Sequence, residues 1–400
     1  MNVLVINCGS SSLKFRLFAM PAERLSAHGL VERIGDHEGW ATLTCRGRVL
    51  SQPLRTDDHA AALAWLLGAL SGEEIGAIGH RVVHGGQRFT RPERVDAAVL
   101  DGIRAVIPLA PLHNPANLAG IEGCAAVYPG VPQVAVFDTM FHQTLPEVAY
   151  RYAVPEAWYV EHGVRRFGFQ GISHGQVAAR AAALLGKPLA ETNLITLHLG
   201  NGASAAAIRG GCSVDTSMGM TPLEGLVMGT RSGDLDPAIP AYLRQAASLK
   251  ADEVDDHLLH RSGLQGLCGE HDMREILKRC GQGDARADLA LELYVYRIRK
   301  YIGAYWAVLG RVDALVFTAG VGEHSPEVRA RVCSGLEGLG IRLDVAANQA
   351  ARGVEAAVHG KDASIGVYVI PVDEEIEIAR QTMACLARQD NRDGKGGNGD

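Results

Sequence analysis

Two arginines and two carboxylates stand where a chain of this kind meets ligands. Arg81 follows the apolar "AIGH" and precedes Gly85 and Gly86, so the backbone can bend close to a ligand while a guanidinium offers two parallel donors. Arg231 lies in "MGTRSGDLDP", between small polar residues and ahead of a helix start with Asp236 as cap and Pro237 in first place. Asp138 closes the buried run "VAVF". Asn201, Gly322 and Glu374 likewise stand at strand ends or in the turns beyond, where open α/β sheets bind ligands. Two arginines can clamp two anions. Either one alone is more often a surface or salt-bridged residue, and it is their shared loop context that points to a clamp.

A second group opens the chain. In "NVLVINCGSSSLKFRLF", Val3 to Ile6 make a strand buried on both faces, and Leu13, Phe15 and Leu17 alternate with Lys14 and Arg16 as a half-buried strand does. The turn between them offers backbone N–H groups, three hydroxyls and, at Lys14, a cation, a combination that suits phosphate. A Walker loop is excluded, because Leu13 and not glycine precedes Lys14 and a strand follows. On this stretch alone the plainer alternative also stands: a polar turn with a surface lysine, the commoner fate of such sequences. The histidines are less informative. His80 and His84 have the spacing of a helical metal pair, but "RVV" between them continues a strand, which excludes a zinc site. His198, inside "ITLHLGNG", is either a neutral core histidine or a neighbour of phosphate.

The elements around these residues alternate strand and helix. A helix is expected at about 58 to 70, another from "HNPANLAGIEGCAAV" with Asn114 as N-cap and Pro115 first, a long one at about 284 to 309, one opened by Pro326, and a final strand and helix at about 366 to 388. Near 150 the pattern restarts. "NLITLHLGNGASAAAIRGG" repeats the strand, Gly/Asn/Ser turn and strand of the opening hairpin, and implies two similar α/β domains, 1–150 and 151–373. The tail 389–400, "QDNRDGKGGNGD", cannot bury apolar surface and is expected to be disordered.

Composition excludes other classes. A chain of 400 residues with 47% hydrophobic content can bury large cores, and a net charge of −6 gives no electrostatic case for nucleic acid or an anionic membrane. No apolar run approaches the ~18 residues of a membrane span, and the N-terminus lacks a basic region followed by an apolar one. Eight widely spaced cysteines without Cys-x-x-Cys fit reduced thiols, and a cytoplasmic protein is expected.

"INCGSSSLKF", "GHRVVHGG", "LAPLHNPANL", "VAVFDTMFHQTLP", "GFQGISH", "LHLGNGAS", "DTSMGMTPLEGLVMGTRSGDLDP", "TAGVGEHS" and "VDEEIEIAR" resemble, in order and spacing, the acetate kinases over about residues 2 to 388. No single motif is specific; the series is. The resemblance implies two related domains of the actin-like ATPase (ribonuclease H-like) type, with an active-site cleft between them and the C-terminal helix, about 374–388, completing the first. It implies an ATP-dependent enzyme making acetyl phosphate and ADP from acetate, reversibly, as a homodimer. Arg81 and Arg231 match the residues that hold the carboxylate and the transferring phosphoryl group. Asp138 matches a catalytic position, and since a carboxylate nucleophile has no proton to remove, aligning an arginine is the favoured role. Asn7 and Glu374 match positions associated with magnesium, for which manganese can substitute. Lys14, His198, Leu199, Gly200, Asn201 and Gly202 match nucleotide-binding segments, as do Asp272, Met273 and Arg274, and Gly320, Val321, Gly322, Glu323 and His324. Val83, Leu112, Phe169 and Pro222 match the apolar pocket for the acyl methyl group. Two positions depart from the pattern. Gln170 replaces a histidine considered to stabilise the transition state, which predicts an active but slower enzyme, and His324 replaces an asparagine at the nucleotide. Propionate kinase is the near alternative, and an actin-type nucleotide switch without acyl phosphate chemistry the distant one.

Overall fold

The computed structural model describes residues 1–9, 11–36 and 38–393, so Ser10 of the opening turn and residues 394–400 of the tail lie outside the described residues. The chain divides into two compact units, one of Met1–Phe141 with Asp373–Asp400 and one of His142–Val372.

The first unit is built on eight strands: β1 (Asn2–Cys8), β2 (Ser12–Ala19), β3 (Arg24–Glu32), β4 (Trp40–Cys45), β5 (Arg48–Pro53), β6 (Ala77–Val82), β7 (Glu93–Arg94) and β8 (Gln133–Phe137). They lie in the order β5-β4-β3-β2-β1-β6-β8-β7. β1 pairs antiparallel with β2 and parallel with β6, which pairs parallel with β8. Val3, Leu4, Val5 and Ile6 are all buried because both faces are covered. On one side Leu4, Ile6, Leu13, Phe15 and Leu17 meet Leu63, Leu66 and Leu67 of helix His59–Ala69, which Asp58 caps through Ala61 N at 2.8 Å. The C-terminal helix Glu374–Asp393 packs on β1, β6 and β8. That helix passes the expected end at 388: "RQDNRD" contains neither proline nor glycine, so nothing stops it before Gly394. Asn114 was expected from sequence to be an N-cap and is not. It is the first residue of helix Asn114–Val127, and its side chain turns inward to the backbone of His84.

The second unit has six strands: β9 (Asn193–Leu199), β10 (Ala203–Arg209), β11 (Cys212–Thr216), β12 (Ala314–Thr318), β13 (Ala356–Ala357) and β14 (Gly366–Val369). Their order is β11-β10-β9-β12-β14-β13. β9 is antiparallel to β10 and parallel to β12, which is parallel to β14. Three antiparallel strands followed by two parallel ones therefore occur twice, as β3-β2-β1-β6-β8 and as β11-β10-β9-β12-β14, and the repeat read from the two hairpins extends to whole sheets. Helix Ala285–Leu309 packs on β9 and β10, and helix Gly171–Leu184 on β9 and β12. Among the described residues no helix is long and apolar enough to cross a membrane.

The C-terminal helix reaches β6 only because Gly79 has no side chain. A Cβ there would lie 2.9 Å from Ile378 Cγ2 and against Thr382 Oγ1, with Arg81 two residues further along the strand. Gly79→Val should lower the stability of the first unit by about 1–3 kcal/mol through overpacking. Urea unfolding followed by tryptophan fluorescence checks this, and an unchanged midpoint would mean that the helix is not seated on Gly79.

Candidate active site

In the first unit the ends of β1, β6 and β8 bring Asn7, Arg81 and Asp138 together. Arg81 Nε donates to Asp138 Oδ1 at 3.2 Å and its second nitrogen to Asp138 Oδ2, a bidentate pair, while Nη1 lies 3.4 Å from Asn7 Oδ1. Glu374, first residue of the C-terminal helix, places Oε2 3.7 Å from Arg81 Nε. Burial works against the guanidinium's charge, but the charges of Asp138 and Glu374 outweigh it and hold its pKa above the ordinary value. Asp138 is itself buried, so the pair is fixed in position. Lys14 is partly exposed, and its Nζ lies 2.6 Å from Oε1 of buried Glu375.

The loop after β6 is held from inside. Asn117 accepts from Val83 N at 3.0 Å and donates to Cys8 O at 2.8 Å, joining the ends of β1 and β6. Asn114 accepts from His84 N at 3.2 Å and donates to His84 O at 3.0 Å, satisfying buried backbone that has no ladder partner. Val83 is buried and Leu112 is mostly exposed.

In the second unit Arg231 is half-buried and, among the described residues, has no ion pair. Nη1 donates to Pro222 O at 3.2 Å, and burial pushes its pKa below the ordinary value. Its loop is locked by backbone bonds from Met228 N to Arg231 O, Gly229 N to Asn201 O and Ser262 N to Thr230 O. Gly263 sits at φ +59°, where a Cβ would lie 2.6 Å from Arg231 O, so only glycine closes the loop this tightly. Arg231 and Gln170 both border Gly202: a Cβ there would stand 3.5 Å from Arg231 Nη1 and 3.4 Å from Gln170 Nε2. Phe169 is buried beside Gln170, and half-buried Pro222 supplies the carbonyl under Arg231.

A cleft of about 800 Å³ opens in the same unit. Of the residues expected at a nucleotide, Gly200, Asn201, Asp272, Met273, Arg274, Gly320, Val321 and His324 line it, joined by Leu264, Leu277, Tyr294 and Arg352. His198, Leu199, Gly202, Gly322 and Glu323 stand outside its lining. Asp272 caps helix Met273–Gly281 and pairs with Arg274 at 2.6 Å, an interaction that pulls its carboxyl down to about 2. Glu323 is a brace: its Oε1 accepts from Ala319 N at 2.8 Å and Val372 N at 3.1 Å. Sequence reasoning missed the residue that holds this floor. Arg329, fully buried, donates to Gly322 O at 2.8 Å, Glu323 O at 3.0 Å, Asn348 O at 2.8 Å and Ala351 O at 2.6 Å. Burial, with Arg352 nearby, pushes it down to about 10.

The model of the acetokinase family matches residues 2–380. The chain belongs to the acetokinase family. It is 51% identical to an acetate kinase of Sulfurovum over 97% of this chain and 100% of the relative, and 53% identical to one of Streptomyces avermitilis over 96% and 97%. Among solved structures it matches Porphyromonas gingivalis acetate kinase with TM-score 0.91 and 44% identity, covering 96% of this chain and 99% of the other. A propionate kinase from Francisella tularensis matches with TM-score 0.91 and 40% identity over the same shares. The fold is accordingly the two-domain actin-like ATPase fold of those enzymes.

Behind Gln170 this acetokinase buries histidines in hydroxyl-rich surroundings. His142 bonds Ser213 Oγ at 2.8 Å and Phe169 O at 3.0 Å; His174 bonds Thr196 Oγ1 at 2.7 Å and Ser204 Oγ at 2.8 Å; half-buried His198 bonds Ser173 Oγ at 2.7 Å. His198 thus satisfies a neighbouring hydroxyl and does not enter the cleft lining. Burial pushes His142 down to about 4, and pushes His174 well below its ordinary value with further repulsion from His142 and His198. Both are neutral when folded and protonate near 6.5 when unfolded, so the unfolded chain binds more protons below that pH. The stability they contribute is full above about 6.5 and is lost as pH falls towards 4, at about 1.4 kcal/mol per pH unit for each. Urea midpoints of the second unit should therefore drop between pH 7 and 5, and His142→Gln should flatten the slope. A profile that is flat in the parent would mean that these histidines are not held neutral.

Proposed function

We propose that the protein transfers the γ-phosphoryl group of ATP to acetate, reversibly, giving acetyl phosphate and ADP by direct in-line displacement. The observation that carries this is Arg231, a half-buried guanidinium without an ion pair among the described residues, beside the Gln170 amide across the gap that Gly202 leaves open. A cation desolvated without a carboxylate is costly unless an anion completes it, and a phosphoryl group does so. The chemistry needs nothing else of this residue. An acetate oxygen forms a bond to phosphorus while the bond to the ADP oxygen breaks, with charge spread over the phosphoryl oxygens and no proton to remove.

In this reading Arg231 and Gln170 bind those oxygens and Arg81 holds the carboxylate. Asp138 keeps Arg81 in one orientation through its bidentate pair. The cleft holds the nucleotide, with Leu264, Leu277 and Val321 against the base or ribose and Gly200, Gly320 and Asn201 near the phosphates. Val83 and Leu112 of the first unit, and Phe169 and Pro222 of the second, are the residues proposed to meet the acyl methyl group. Asn7 and Glu374 offer only oxygen donors, a set that suits magnesium, which keeps several waters and needs few protein ligands, and manganese in its place. Bound there, such an ion would supply positive charge to phosphate oxygens. Lys14, partly exposed and paired with Glu375, is proposed to offer its charge to the nucleotide phosphates. A homodimer and a cytoplasmic location belong to the same reading, the second supported by eight free thiols.

A hydroxylamine trap for acyl phosphate tests the proposal: with MgATP and acetate the protein should yield acetyl hydroxamate, and no hydroxamate from any short acid would overturn it. Comparing kcat/KM for acetate and propionate places it against the Francisella relative, with a difference of about 1–3 kcal/mol for one methylene. Arg231→Leu should cut turnover by about 10²- to 10³-fold with an unchanged melting temperature, the worth of one donor to developing charge in a dry site. Near-normal turnover in the folded variant would remove Arg231 from the mechanism.

A further inference from the structure

Gln170 is held in a way its sequence does not announce. It stands at φ +58°, in the left-handed region, immediately before helix Gly171–Leu184. That conformation costs a side-chain-bearing residue of order 1 kcal/mol or more and persists only where the surroundings fix it. What fixes it is a chain of side chains on two strands and the helix. Ser204 Oγ on β10 donates to Gln170 Oε1. Ser204 Oγ also lies 2.8 Å from His174 Nε2, and His174 Nδ1 lies 2.7 Å from Thr196 Oγ1 on β9. Ser204, His174 and Thr196 are all fully buried.

The direction of every bond in this chain follows from counting protons. A serine hydroxyl has one hydrogen, and Ser204 gives it to Gln170. The bond to His174 must then run the other way, from Nε2–H to the serine oxygen. A neutral imidazole carries one N–H, so Nδ1 is the acceptor and Thr196 the donor. With Oε1 occupied, the amide can turn only its NH₂ outward, and Nε2 is the atom that borders the Gly202 gap opposite Arg231. Gln170 without this chain could present either end of the amide, and a carbonyl oxygen there would repel a phosphoryl oxygen.

We propose that Thr196, His174 and Ser204 form a one-way relay that orients the Gln170 amide as a donor to the transferring phosphoryl group. They are positioning residues, acting only through Gln170, and the assignment rests on the phosphotransfer reading above. Neutral His174 suits the role, since burial holds it well below its ordinary pKa and keeps the direction of the chain constant across working pH.

The test is a double-mutant cycle on the full-length protein with steady-state hydroxamate kinetics. Ser204→Ala in the parent should lower kcat about tenfold, the worth of one oriented hydrogen bond, while KM for ATP and for acetate stays within about twofold. In a Gln170→Ala background the same substitution should change kcat by less than twofold, because nothing remains for the serine to orient. An equal fold loss in both backgrounds would make Ser204 a packing residue and overturn the relay. So would full kcat in Ser204→Ala. Should Ser204→Ala fold poorly, Ser204→Cys keeps the volume with a weak donor and carries the same comparison. His174→Gln, which retains an ε N–H donor, should keep more kcat than His174→Leu; equal losses would again count against the relay. An inactive parent overturns both readings, whereas an active parent with additive losses overturns the relay alone.

Discussion

Keeping a guanidinium away from carboxylates inside a protein is the constraint on which the second unit is organised. The chain holds Arg231 in a loop closed by backbone bonds to Asn201 and to the segment around Ser262. Carboxylates that might reach inward are committed elsewhere. Asp234, in the same loop, is tied to Arg297 at 2.8 Å, to Tyr301 Oη at 3.0 Å and to Gly225 N at 2.8 Å. Glu224 is held by Arg166 at 2.5 Å and by Tyr152. Each commitment removes an internal counter-ion, and the attraction left over is available to a ligand.

Arg81 is treated in the opposite way. Asp138 fixes it bidentately and Glu374 adds a second negative charge, so the charge is screened and the planar group stiffened. In the proposed function this difference suits two different anions. A small carboxylate, singly charged and weakly bound, needs direction more than field strength, whereas a phosphoryl group in transfer gathers charge that an uncompensated cation stabilises most.

Much of this was legible in the sequence because it is local. The hairpins, the buried strands, the capped helix after Asp58 and the Pro326 helix follow from period, β-branching and caps within a dozen residues, and the repeat of the hairpin foretold the repeat of the sheet. Arg81 and Asp138 were found because strand ends gather ligands and Asn7 through the family resemblance, and the three meet in the first unit. What was not legible depends on distant partners. The Glu375 carboxylate that Lys14 meets comes from the far end of the chain. Asn114 looked like a cap because Pro115 follows it, and only the buried loop at His84 shows what it must satisfy. Arg329 had no signal, since an arginine in a polar helix is ordinarily at the surface and nothing nearby reveals the four carbonyls it meets.

Strain marks what pattern could not. Gln170 and Ala319 are non-glycine residues in the left-handed region, and both border elements of the proposed site, one near Arg231 and one opening the helix Ala319–His324 beside the cleft. Both are held by a side chain, Gln170 by Ser204 of β10 and Ala319 by Glu323 of its own helix. Glycine would relieve either position at no steric cost, yet at 170 it would remove the amide itself. The strain at Gln170 is therefore the cost of aiming a side chain where a relaxed backbone would not send it, and the buried hydroxyl and imidazole behind it are what the fold spends to keep that aim.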